Sequence, residues 1–136
     1  MSNTPQVKAP WLKSKDPEVP ATLTYSELSM CGRVEEMVRR YPDYTAYEFM
    51  GKCTTYAEMW RKINACAKSL KAIGIREGDK VTICMPNAPQ TLCMFYAVNM
   101  VGAIANMVRP LSAESEIAFY LRDSGSVAAI TLDQFY

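Results

Sequence analysis

Histidine is absent from the 136 residues. That one gap removes the commonest general base, the commonest zinc ligand and the usual pH switch together. It leaves Asp, Glu, Cys, Lys and Tyr as chemical actors. A charge excess is also missing. The formal net charge is +1 with both signs interspersed, so no nucleic-acid stripe and no like-charge tail can be drawn. Neither G-x-G-x-x-G nor G-x-x-x-x-G-K-[ST] occurs, and no internal repeat or low-complexity tract is present. The N-terminus lacks the charged-then-apolar pattern of a signal peptide. Cys31, Cys53, Cys66, Cys84 and Cys93 form no C-x-x-C pair and are odd in number. Their settings predict buried or inert thiols in a reducing compartment, hence a cytoplasmic location.

What is present reads as a globular core. Hydrophobic residues make up 49% and charged residues 21%, which argues against disorder. Residues 1–24 hold Pro5, Pro10, Pro17 and Pro20 among polar residues. They predict an extended arm, with Trp11 and Leu12 as anchors, ahead of a body over 25–136. Met30, Val34, Met37, Val38 and Tyr41 lie at helical spacing within 26–41, and Arg39 and Arg40 suit the last turn. Thr45 to Met50 and Cys53-Thr54 predict a hairpin turning at Gly51-Lys52. Thr55 with Glu58 forms a capping box. The helix it opens puts Tyr56, Met59, Trp60, Ile63, Cys66, Ala67 and Leu70 on one face and ends at Gly74.

The pattern then changes. Apolar strands over Val81–Met85, Ala103–Val108 and Val127–Thr131 alternate with helices from about Pro89 to Val101 and from a Ser112 cap to Gly125. In the second of these helices Ile117, Tyr120 and Leu121 are expected to face inward. Such alternation predicts an α/β fold, a three-layer parallel sheet with helices on both faces. Thr91 to Val108 carries no charge, but a buried helix followed by a strand explains it better than a membrane span.

Candidate chemistry is thin. The turn Gly74 to Asp79 precedes a strand, whereas nucleotide loops follow one, so it reads as a helix stop and a tight turn. Glu35–Glu36 is placed on a solvated helix face and Glu114–Glu116 in a helix first turn. Neither offers the cleft that acid–base work needs. Arg109 sits at the carboxyl end of a predicted parallel strand, where open α/β sheets bind ligands. A solvated or salt-bridged loop arginine is the plainer expectation there.

Several segments, in order, resemble the start of an adenylate-forming enzyme of the acyl-CoA synthetase (AMP-binding) family. Thr54-Thr55-Tyr56-Ala57-Glu58-Met59 is similar to its early T-Y-x-E-L signature. Leu70 to Ile75 with Gly78-Asp79-Lys80-Val81 matches the turn feeding its first sheet strand. Met85-Pro86-Asn87-Ala88-Pro89-Gln90 looks like its P-N turn, and Phe95-Tyr96-Ala97 through Val101-Gly102-Ala103 like its buried helix and A-G-A step. Pro110-Leu111-Ser112 through Glu116-Ile117, then Leu121 to Gly125, resemble the next helix and its D-S-G end. The family usually has Asn where this chain has Arg109.

The resemblance implies the N-terminal part of a larger adenylating domain. It further implies a parent enzyme that joins a carboxylic acid to coenzyme A through an acyl-adenylate, using ATP and Mg²⁺. The family's phosphate loop, nucleotide contacts and lysine lie beyond Tyr136. No catalytic, cofactor-binding or metal residue is therefore assigned, and the chain alone is expected to be inactive. The implied partners are the rest of the AMP-binding domain and the acid, and self-association of the exposed sheet is expected. A non-catalytic scaffold of the same fold, or a domain loading a carrier-protein thiol, is the alternative.

Overall fold

The computed structural model describes residues 9–133. The expected arm therefore lies partly outside the described residues, Pro5 included. Its described part is not uniformly extended, because Pro10–Ser14 forms a 3₁₀ turn. Pro10 at the start of that turn presets φ and lacks only an N–H that the turn does not need. The Lys15 ammonium donates to the Pro20 carbonyl. Trp11 and Leu12 are exposed rather than anchoring, as are Leu23 and Tyr25.

Helix α1 spans Met30–Arg40, so residues 26–29 lie outside it. The Ser29 hydroxyl caps it by accepting from the Gly32 amide at 3.1 Å. Strands β1 (Thr45–Phe49) and β2 (Lys52–Thr55) pair antiparallel. The two-residue loop is Met50-Gly51, one residue earlier than expected, because Phe49 pairs with Lys52. Both loop residues have positive φ, 51° at Met50 and 77° at Gly51, as the turn favoured in tight hairpins requires. This register carries Thr54 inward, where it is buried.

Helix α2 (Tyr56–Ala72) opens on the expected capping box. The Glu58 amide donates to Thr55 Oγ1 at 3.2 Å, and the Thr55 amide donates to the Glu58 carboxylate at 3.0 Å. Met59, Ile63, Ala67 and Leu70 are its buried stripe, at the i, i+4, i+8, i+11 spacing of one helix face.

The second sheet holds β3 (Lys80–Cys84), β4 (Ile104–Met107) and β5 (Ala128–Thr131), all parallel, in the order β4-β3-β5. Helix α3 (Pro89–Met100) joins β3 to β4, and α4 (Glu114–Ser124) joins β4 to β5. The first connection steps outward from β3 to β4, and the second steps back past β3 to β5. With right-handed crossovers, that puts α3 and α4 on opposite faces. The three-layer expectation holds in topology, but the two outer layers are unequal.

On the α3 face, Val81 and Ile83 are fully buried and pack with Leu70, Ile75, Val98 and Val101. Met59, Ile63 and Cys93 form a second cluster, against which Val34, Tyr47 and Tyr96 pack; this fixes α1 and the hairpin to α2 and α3.

The α4 face is different. Helix α4 buries none of its residues. Ile117 and Leu121 are half-buried, while Tyr120, expected inward, is exposed. Its N-cap is Ala113 rather than Ser112, because Ser112 is drawn into a turn by its amide donating to the Arg109 carbonyl at 3.2 Å. Glu116 supplies the cap instead, its carboxylate accepting from the Ala113 amide at 3.1 Å. Beneath α4 runs a polar seam. Asn106 Nδ2 donates to Thr82 Oγ1 at 2.9 Å, Thr82 donates to Ser126 Oγ at 2.7 Å, and Ser126 meets Ser124 Oγ at 2.8 Å. No helix is long and apolar enough to cross a membrane among the described residues, and the uncharged run from Thr91 divides into α3 and β4.

Candidate functional site

Parallel strands bring their carboxyl ends to one edge of the sheet, and loops there are free to carry chemistry. In this chain the loop after β3, Met85 to Asn87, meets the loop after β4, Val108 to Leu111. Between them lies an open groove of about 470 Å³. Both walls are braced from below. The Val108 amide donates to the Ile83 carbonyl at 3.0 Å, and Thr91 Oγ1 donates to the Pro86 carbonyl at 2.6 Å. Among the described residues, Arg109 is the only charged one lining the groove. It is exposed and makes no salt bridge among the described residues, so the plainer expectation for it, a solvated loop arginine, describes its state.

The other sequence candidates are structural. Glu36 is not a free member of an acidic pair. It is held by Arg33 at 2.7 Å and approached by Arg40 at 3.9 Å, both on its own helix. Glu114 is exposed and Glu116 caps α4, so the two do not converge. The turn at Gly78-Asp79 uses its own amides. Gly78 donates to the Gly102 carbonyl at 2.9 Å, and the Asp79 carboxylate accepts from the Arg76 amide at 2.7 Å.

All five cysteines are free. Cys84 and Cys93 are buried, and Cys31 and Cys66 are half-buried. Cys53, expected with the rest to be buried or inert, is exposed on the outward side of β2. Burial pushes the Cys31, Cys66, Cys84 and Cys93 thiols up. For Cys93 the neighbouring Cys66 adds to the rise and Lys62 opposes it. Thiols raised in this way stay protonated at neutral pH and are poor nucleophiles. Cys66, Cys93 and Lys62 share a second hollow of about 340 Å³ between α2 and the start of α3. A third, of about 390 Å³, lies where α1 meets α2 and α3, with Met30, Val34, Met37, Tyr56, Met59 and Tyr96 among its lining.

Residues 34–135 match the AMP-binding enzyme family. The chain belongs to that family. It is 31% identical to the long-chain-fatty-acid–CoA ligase of Bacillus subtilis (strain 168) over 131 residues, which is 96% of this chain and 23% of that protein. Among solved structures, the inhibitor-bound N-terminal domain of FACL13 from Mycobacterium tuberculosis superposes with a TM-score of 0.69 and 35% identity, covering 72% of this chain and 25% of that one. The N-terminal subdomain of Klebsiella oxytoca NpsA superposes with a TM-score of 0.73 and 27% identity, over 76% of this chain and 27% of that one. The chain thus corresponds to an N-terminal segment of the family's α/β fold, and it spans about a quarter of the length of the curated relatives it matches.

A member of this family implies ATP and Mg²⁺, and the residues here do not fit them. Among the described residues no three His, Cys, Asp or Glu side chains converge on a point that could hold a metal ion. The glycine turn nearest to a phosphate loop leads into β3 instead of following a strand, and its amides already have protein partners.

Proposed function

We propose that this chain forms the leading part of the sheet in an ATP-dependent enzyme that joins a long-chain carboxylic acid to coenzyme A. In this role it is a scaffold: it supplies β3, β4, β5 and their packing helices and leaves the chemistry to other residues. One observation carries the choice of acceptor. The match to the Bacillus subtilis ligase leaves at most five residues of this chain outside it. It therefore takes in most of the sequence ahead of residue 34, where the family-wide match begins. Most of the arm of residues 1–24 is thus aligned with a fatty-acid–CoA ligase. This favours coenzyme A over a carrier-protein thiol. The five free thiols support a reducing, cytoplasmic setting.

Expression of the whole reading frame that carries this sequence tests the proposal. With palmitate, ATP and Mg²⁺, coenzyme A should be converted to its acyl thioester, while a phosphopantetheinylated carrier protein should not be loaded. Loading of the carrier alone would overturn the acceptor. The present chain by itself should release no pyrophosphate in response to a carboxylate, and turnover by it would overturn the scaffold role. The thinly covered α4 face and the exposed arm further favour self-association of the isolated chain. Sedimentation over a range of micromolar concentrations should show a mass that rises with concentration; a constant monomer would contradict it.

A further inference from the structure

Sulfur converges at one place away from the sheet's carboxyl edge. Helices α2 and α3 pack together, and where α3 begins they leave the hollow of about 340 Å³ lined by Lys62, Cys66, Pro89, Gln90, Cys93 and Met94. Half of that lining carries sulfur. Cys93 is 4% exposed, while Cys66 and Met94 are half-buried, so one of the three lies deep and two lie nearer to solvent. A charge on Cys66 pushes the Cys93 thiol up, which puts the two sulfurs within electrostatic reach of each other. Two of the remaining thiols are placed elsewhere: Cys31 Sγ donates to the Tyr96 carbonyl at 3.2 Å, and Cys53 is exposed on β2. Among the described residues no carboxylate and no imidazole lines the hollow. The carboxylates that hold magnesium and calcium, and the four-ligand set of structural zinc, are therefore missing there. A pair of thiols beside a thioether instead suits a soft monovalent ion, copper(I) above all. One copper(I) with two thiolates carries a net negative charge, and the Lys62 ammonium lining the same hollow offsets it.

We propose that Cys66, Cys93 and Met94 bind a copper(I) ion in the hollow between α2 and α3. Bonds form from copper to the two thiolates and to the thioether; the two thiol protons pass to water, and copper keeps its oxidation state throughout. The ion ties α2 to α3, so its binding stabilises the folded chain over the unfolded one. The site stands whether or not coenzyme A proves to be the acceptor in the reaction proposed above, because it is read by binding and not by turnover.

The test equilibrates the reduced chain, free of oxygen, with the coloured copper(I) complex of bicinchoninate. About one copper(I) per chain should leave the chelator, and the melting temperature should rise on loading. Cys66→Ser and Cys93→Ser should each weaken binding by about a hundredfold or more, and Met94→Leu, which conserves volume, by about tenfold. Cys31→Ser and Cys53→Ser should leave the affinity unchanged. X-ray absorption by the copper-loaded, unsubstituted chain should show sulfur neighbours alone, a readout that does not depend on any variant folding. The proposal is overturned if copper stays with the chelator, or if oxygen or nitrogen atoms surround it in the loaded chain. It is equally overturned if folded Cys66→Ser and Cys93→Ser bind as tightly as the unsubstituted chain, if Met94→Leu leaves the affinity untouched, or if Cys31→Ser or Cys53→Ser abolishes binding.

Discussion

Replacing Thr82 with valine isolates what a single hydroxyl does for the second face of the sheet. Thr82 is fully buried in the central strand. Its hydroxyl donates to Ser126 at 2.7 Å and accepts from the Asn106 amide at 2.9 Å. Valine keeps the shape and the β-branch, so packing hardly changes and the loss is one donor and one acceptor. Ser126 still has Ser124 at 2.8 Å and loses little. Asn106 is half-buried and loses its partner outright. A net hydrogen bond is worth about 1 kcal/mol and an orphaned buried group costs about 1–3 kcal/mol. Partial access of Asn106 to water places the whole effect at about 1–2 kcal/mol. A second change, Asn106→Val, removes the orphan. The double variant should therefore be more stable than the two single losses added together, by about 1 kcal/mol. Urea unfolding at neutral pH reads this directly: with a slope of about 1–3 kcal/mol per molar, Thr82→Val should lower the midpoint by roughly 0.5–1 M. A loss below about 0.3 kcal/mol, or strict additivity in the double variant, would refute the seam as an energetic unit.

Gly102→Ala should cost about 2 kcal/mol or more, since φ is +80° and a new Cβ would lie 3.0 Å from Glu77 Cγ and 3.2 Å from its Cβ. Gly125→Ala, at φ +62° with nothing within 4 Å, should cost only the conformational share of about 1 kcal/mol; equal losses on thermal melting would remove the clash from the account. Thr55→Ala should destabilise by about 1 kcal/mol through loss of the α2 cap, measured by the same urea titration. The Thr55 backbone amide holds the Glu58 carboxyl below its ordinary value. A depressed carboxyl stabilises above its unfolded pKa, and that contribution is lost as pH falls through the folded one. The acid limb of the stability curve should therefore flatten in Glu58→Gln, and an unchanged limb would count against the bond. With iodoacetamide at neutral pH, Cys53 should be alkylated well before Cys84 and Cys93, as peptide mass mapping over time would show; labelling of Cys93 together with Cys53 would mean that the α2–α3 seam opens readily.

Much of the fold was legible because its elements carry strong local signals. The Thr55–Glu58 box and the stripe through Met59, Ile63, Ala67 and Leu70 specify α2 and its inward face before any tertiary contact is known. Apolar runs bounded by Gly78, Pro86, Gly102 and Gly125 mark the strands of the parallel sheet in the same way. The departures have tertiary causes. Lys52 joins β2 instead of the turn because that register buries Thr54. Ser112 is taken by a turn whose acceptor is the Arg109 carbonyl. Thr82 and Asn106 lie within otherwise apolar runs, and nothing local reveals that they meet across β3 and β4. Arg109 was legible by position alone; the apolar groove beside it depends on two loops brought together by strand pairing.

Helix α4 gives the molecule a graded rather than uniform order. Its eleven residues bury no side chain, while its ends are fastened, by Glu116 to the Ala113 amide at one end and by the Ser124–Ser126 contact at the other. Meanwhile β5 is laid onto β3 through its own ladder, beginning with the Val127 amide on the Lys80 carbonyl at 2.8 Å. The helix can therefore loosen without unpairing the strand that follows it. Such an element behaves like a tether drawn over the sheet: its length and outward face can drift in sequence at little cost, whereas the residues at its two fastenings cannot.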